Sequence, residues 1–163
     1  MIYHHGRRTS SIDSYAQRDS AKMIGKTISH YTILDKLGEG GMGVVYLAED
    51  TKLNRKVALK FLSRGAVLPG EEYRRFLNEA QAAASLNHAN ISTIYEIEDS
   101  SDGPFIAMEY VDGENLSERI ARGPLPAEDS MDLAVQILRG LNKAHGQGIV
   151  HRDIKSANIM ICL

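Results

Sequence analysis

The sequence predicts an α+β fold: a small antiparallel sheet with one main helix, followed by a helical segment. Three observations predict it. Short β-rich runs with tight connections fill Tyr31 to Leu62, the pattern of an antiparallel meander. A single helical stripe over Glu71 to Leu86 separates these from two further β-rich runs. From Ala127 to His145 the apolar spacing changes to that of a long helix. Strands gathered before helices in this way read as α+β.

Composition narrows the function classes. With 163 residues, 43% of them hydrophobic, the chain can bury one core, or one and part of a second. A net charge of −2 gives no reason to expect nucleic acid or an anionic membrane as partner. The single Cys162 excludes an internal disulfide framework and suits a reducing, cytoplasmic compartment. No apolar run approaches a membrane span, and no apolar region follows Arg7-Arg8 as a secretory signal requires.

Residues 1–30 are polar and without period, too poor in apolar surface to offset their ordering entropy, and are expected to be a disordered arm. An alternative is that the true start is Met23. His4-His5 lack a third ligand nearby and make a poor metal site. Residues 31–163 form the ordered part, with 31–111 as a small lobe and hinge and 112–163 as the start of a larger lobe.

Tyr31-Thr32-Ile33-Leu34-Asp35-Lys36-Leu37 is the first strand and runs into Gly38-Glu39-Gly40-Gly41-Met42-Gly43. Val44 to Ala48 and Lys56 to Leu62 follow as strands across the turn Asp50 to Asn54. Glycines without a Cβ let backbone N–H groups approach a phosphate. A dinucleotide fold shares the spacing but needs a helix after the third glycine; here β-branched Val44-Val45 follow. The loop therefore joins two strands as a flap over a nucleotide. Alternation puts Val57 and Leu59 on one side of their strand and Ala58 and Lys60 on the other. Taken alone, Lys60 also suits a solvent-facing edge.

Pro69-Gly70 precedes the helix Glu71–Leu86, with Phe76, Leu77, Ala80, Ala83, Ala84 and Leu86 at helical spacing and Glu79 at the edge of the stripe. Glu79 is the expected ion-pair partner of Lys60; without that lysine it reads as an exposed helical acid. Strands are expected at Ile91–Ile97 and Phe105–Val111, joined by the turn Asp99–Gly103. A hinge over Glu109–Gly113, a short helix Leu116–Ala121 and the helix Ala127–His145, ended by Gly146 and Gly148, complete the order.

The chain then enters His151-Arg152-Asp153-Ile154-Lys155-Ser156-Ala157-Asn158. That order resembles the catalytic loop of protein kinases, H-R-D-x-x-x-x-N, at every fixed position. With the glycine flap, Val57-Ala58-Leu59-Lys60 and Glu79, the chain is similar to the protein kinase family from Tyr31 to Ile161, in detail to bacterial serine/threonine kinases of eukaryotic type. The departures, Leu59 in V-A-I-K and Ala89 where proline is more usual, touch no chemistry.

The resemblance implies a kinase-like fold: a five-stranded antiparallel small lobe with one main helix, then the first helices and catalytic loop of an incomplete helical large lobe. It implies ATP and Mg2+ as cofactors and a protein with Ser/Thr hydroxyls as substrate. Leu37, Gly38, Gly40 and Gly43 would cover the ATP phosphates, and Lys60, paired with Glu79, would hold the α- and β-phosphates. Val45 and Ala58 would roof the adenine pocket above Met160. Met108 would be the gatekeeper, with the backbones of Glu109 and Val111 on the adenine edge. Asp153 would receive or orient the substrate proton, Lys155 would neutralise γ-phosphate charge, and Asn158 would bind Mg2+. His151 competes for the role of base, but in the family it packs beneath the loop.

After Asn158 the family has an Asp-Phe-Gly and an activation segment; here the sequence runs Ile159 to Leu163. The expectation is a truncated product or partial sequence, with the helix Ala127–His145 exposing an apolar face that favours self-association. The alternative to a kinase is a catalytically inactive nucleotide-binding or interaction fragment.

Overall fold

The computed structural model describes residues 23–40, 43–62 and 71–162. The alternating runs pair as β1 (Thr27–Ile28), β2 (Tyr31–Gly40), β3 (Gly43–Asp50), β4 (Arg55–Leu62), β5 (Ile94–Ser100) and β6 (Gly103–Glu109). They form one six-stranded sheet in the order β1-β2-β3-β4-β6-β5, with antiparallel pairs throughout. The five expected strands are joined by β1, which lies in the segment expected to belong to the disordered arm. The reason is local: Ile28 buries its side chain in the core, and Gly25 and Lys26 exchange main-chain hydrogen bonds with Ile33. Residues 1–22, the rest of that arm, lie outside the described residues.

Pleating decides which residues meet. Val44 faces Phe61, Tyr46 faces Leu59 and Ala48 faces Val57, while Leu59 faces Ala107 and Phe61 faces Phe105. This face is the core, with Ala48, Val57, Leu59, Phe105 and Ala107 fully buried. Tyr31 and Phe61 pack on Phe105 with ring centroids 5.8 and 5.2 Å away.

The sheet curls until its ends touch. The Tyr31 hydroxyl on β2 donates to Glu96 Oε2 on β5 at 2.7 Å, and Lys26 pairs with Asp102 in the β5–β6 turn. Burial first, then the Glu96 carboxylate, pushes the Tyr31 phenol well above its ordinary pKa.

The β3–β4 turn is held by Asp50, 1% exposed, whose Oδ1 accepts from the N–H groups of Lys52 and Leu53, both at 3.1 Å. Asn54 closes the turn in the left-handed region, at φ 54°. Burial pushes the Asp50 carboxyl up, but those N–H groups, His30 and Arg55 outweigh it and leave the pKa below the ordinary value. A folded-state pKa below the unfolded one contributes stability above the usual carboxylate range and loses it as pH falls through the folded value. Acid unfolding is therefore expected to be shallower in Asp50→Asn than in the parent, read by circular dichroism from neutral pH downward; coincident profiles would contradict this.

Helix α1 (Glu71–Ala84) packs against β5 and stops before Leu86, the expected end, because Ser85 turns out of the helix with its Oγ on the Ala82 carbonyl at 2.7 Å. Helix α2 (Leu116–Ala121) starts on a capping box: Asn115 Oδ1 accepts the Glu118 N–H, and Glu118 accepts the Asn115 N–H. Helix α3 (Ala127–His145) ends in a Schellman motif, Gly148 N–H to His145 and Ile149 N–H to Ala144, which needs the positive φ of Gly148, 74°. The inward face of α3 carries buried Gly140 and Ala144. On its other side Met131 and Leu138 are 69% and 62% exposed, so the helix presents apolar side chains at its surface.

Candidate active site

Two parts of the chain carry the candidate residues. The first is the face of the sheet opposite the core. Register sets Val45 across from Lys60 and Leu47 across from Ala58, then Ala58 across from Met108 and Lys60 across from Ile106. Side chains directly opposite in an antiparallel pair share a face. Val45, Ala58, Lys60 and Met108 therefore gather on one surface, as alternation implied. Leu47 and Ile106 join them; as ordinary strand residues they carried no signal of their own.

At the rim, Gly38 pairs with Val45 and Gly40 with Gly43. The register shifts between Lys36 and Gly38, at Leu37, which is 45% exposed. Gly41 and Met42, at the tip of the flap, lie outside the described residues. Among the described residues, a Cβ built on Gly38 would meet nothing within 4 Å, so none of their contacts demands glycine there. Glu79 lies on α1, above β5; its side chain is outside the described residues.

The second part is the loop between α3 and β8 (Met160–Cys162). Asn158 Nδ2 donates to both the main-chain oxygen and Oδ2 of Asp153, each at 2.9 Å. Lys155 Nζ lies 2.9 Å from the same Oδ2. The hydrogen bond from Lys155, then that from Asn158, holds the Asp153 carboxyl below the ordinary carboxylate pKa. His151 Nδ1 accepts the Asp153 main-chain N–H at 3.3 Å, a contact within the loop. Arg152 is in the left-handed region at φ 65°, a conformation that costs a non-glycine residue roughly 1 kcal/mol.

The loop is anchored by a two-stranded sheet absent from the sequence reading. Strand β7 (Gly113–Asn115) pairs with β8, Asn115 across from Met160 and Gly113 across from Cys162, and the Leu116 N–H bonds the Ile159 carbonyl. Glu109 ends β6, and only Tyr110, Val111 and Asp112 intervene before β7. The hinge and the end of the charged loop are therefore adjacent, and Met160 comes with them.

Gly113, the last residue of the expected hinge, is a strand residue whose Cβ would lie 2.0 Å from the Ile161 carbonyl oxygen. Gly113→Ala is expected to destabilise the protein by on the order of 2–3 kcal/mol, measured by urea unfolding; a loss within experimental error would contradict the close approach. The small lobe and α3 also touch directly, Asn90 Nδ2 to Gln136 Oε1 at 3.1 Å, where Gly140 leaves room for the Asn90 carbonyl.

Mg2+ takes hard oxygen ligands. With both bonds from Asn158 going through Nδ2, its Oδ1 remains as one such ligand, and the fit holds for that position.

A family model described as a protein kinase domain matches residues 31–162. The chain is 48% identical over 141 residues to serine/threonine-protein kinase PrkC of Bacillus subtilis, covering 85% of this chain and 22% of that protein. It is 41% identical over 136 residues to serine/threonine-protein kinase PknB of Mycobacterium leprae, covering 80% of this chain and 22% of that protein. The chain thus spans about a fifth of the length of these relatives. The crystal structure of the Mycobacterium tuberculosis PknI kinase domain superposes with a TM-score of 0.77 at 32% identity, over 85% of this chain and 56% of that one.

Proposed function

The chain belongs to the protein kinase family, and on that premise we propose that it transfers the γ-phosphoryl group of Mg-ATP to serine or threonine hydroxyls of a protein substrate. The observation that carries this reading is the Asp153 carboxylate, kept ionised by Lys155 and Asn158. Phosphoryl transfer asks for positioning and charge stabilisation more than covalent work. Asp153 orients the attacking hydroxyl and accepts its proton. Lys155, 54% exposed at its side chain, is free to swing from Asp153 to the γ-phosphate. Lys60, on the sheet face with Val45 and Ala58, holds the α- and β-phosphates, with Glu79 as its partner.

Gly38 supports the phosphate role of the flap: open space where a Cβ would project is what a closely approaching anion requires. Mg2+, when bound, neutralises charge on the phosphate oxygens, and Asn158 Oδ1 would hold it. Met108 limits the depth of the adenine pocket, the backbones of Glu109 and Val111 hold the adenine edge, and Met160 forms its floor.

The exposed Met131, Val135 and Leu138 of α3 support a contact made by this helix, with further polypeptide or with a second copy of the chain. No helix among the described residues is long and apolar enough to cross a membrane, and with one cysteine we assign a cytoplasmic setting to this segment. The deciding experiment is transfer of radiolabelled phosphate from Mg-ATP to a generic protein substrate, compared with Asp153→Asn. Transfer lost in the variant supports the kinase reading. Nucleotide binding with no transfer by the parent chain would favour the alternative, a segment that only binds.

A further inference from the structure

One cluster of side chains has no part in phosphoryl transfer. It lies where the curl of the sheet brings the β1–β2 turn against β5. His30, Glu96 and Glu98, each half-buried, offer ligand atoms that all lie within 4.8 Å of one another. Glu96 pairs with Ala107 and Glu98 with Phe105, so both acids stand on the core side of the sheet, across from the face that carries Lys60.

His30 is held from two directions. Its carbonyl accepts from the Thr51 N–H at 2.9 Å and the Thr51 hydroxyl at 2.8 Å. Its Nδ1 lies 3.2 Å from Ser29 Oγ. Nε2 is thereby presented to the acids, 3.7 Å from Glu96 Oε2 and 3.7 Å from Asp50 Oδ1. The Tyr31 hydroxyl fixes Glu96. Glu98 Oε2 is buried with no hydrogen-bond partner among the described residues.

A buried carboxylate oxygen left unsatisfied is costly, and one imidazole beside two carboxylates leaves negative charge to be compensated. A single dication answers both. The geometry points to a divalent transition-metal site of the zinc class, with His30 Nε2, Glu96 and Glu98 as ligands and water completing the shell. An imidazole ligand suits Zn2+ better than Mg2+ or Ca2+, which take oxygen alone. Tetrahedral zinc with bonds of roughly 2.0–2.1 Å separates its ligands by about 3.3 Å. The His30–Glu96 pair is close to that, and rotation of Glu98 closes the rest. Ser29 behind the imidazole and Tyr31 behind Glu96 are the outer partners that orient metal ligands. Such an ion ties the β1–β2 turn to β5 and locks the curl, leaving the nucleotide face untouched.

The test is titration of the EDTA-stripped chain with Co2+ followed by Zn2+. A visible Co2+ absorption band is expected, displaced by one equivalent of Zn2+, with a rise in Tm on Zn2+ addition. His30→Ala and Glu98→Gln should each weaken metal affinity at least about tenfold, while a His4→Ala, His5→Ala double variant keeps it. Circular dichroism checks the fold of each; Glu98→Gln preserves side-chain shape and decides the matter if His30→Ala unfolds. No Co2+ band up to about 0.1 mM metal, a band that survives both substitutions, or one lost only with His4 and His5 would overturn the assignment.

Discussion

Asp153→Asn is expected to lower phosphate transfer by roughly 10²–10⁴-fold, the range for removing a general base, while leaving nucleotide affinity nearly unchanged. The substituted carboxamide keeps an oxygen where Asn158 Nδ2 donates, so the loop geometry survives. What it lacks is the negative charge that, on the proposed function, draws the substrate hydroxyl and accepts its proton. Stability should hardly move, because the Asp153 side chain is 37% exposed. The pH profile provides a second readout. Since Lys155 and Asn158 hold the Asp153 pKa below the ordinary value, activity limited by this group stays flat near neutrality and falls only as pH drops through that lowered value. Transfer by Asp153→Asn within about tenfold of the parent, measured under saturating ATP, would remove Asp153 from the reaction.

Phe105→Ala is expected to cost about 3–5 kcal/mol, the range for deleting a buried aromatic ring. Phe105 is fully buried on β6, packed against Tyr31 and Phe61, and opposes Glu98 across the β5–β6 pair. A domain of this kind is stable by only about 5–15 kcal/mol, so the variant should populate unfolded chain even without denaturant. Urea unfolding followed by circular dichroism measures the change. Leu53→Ala is the control: at 64% exposure in the β3–β4 turn it should shift stability by no more than about 0.5 kcal/mol. A Phe105→Ala loss below about 1 kcal/mol would mean that the core does not depend on this ring.

Much of the sheet was legible because strands announce themselves locally. Alternation separated Val57 and Leu59 from Ala58 and Lys60, and the register keeps that separation across β3, β4 and β6. The His151–Asn158 loop was equally legible, since the contacts among Asp153, Lys155 and Asn158 lie within a single turn of chain. The helix over Ala127–His145, ended by Gly146 and Gly148, was bounded correctly, but not oriented. Its apolar positions spread round too much of the circumference for spacing alone to say that Gly140 and Ala144 pack inward while Met131 and Leu138 face out.

What the chain determined by itself was the order of its main strands and helices and the local contacts of its charged loop, because propensity, alternation and capping act over a few residues; the short β1 and β7 form only through their partners. The tertiary structure alone decided which distant elements meet. The pairing of β7 with β8, through the close approach at Gly113, brings the hinge to the loop. The curl that seats Tyr31 on Glu96 gathers His30, Glu96 and Glu98 in one place. Both depend on backbone approach and sheet curvature summed over many strand pairs, and no short window of sequence contains that sum.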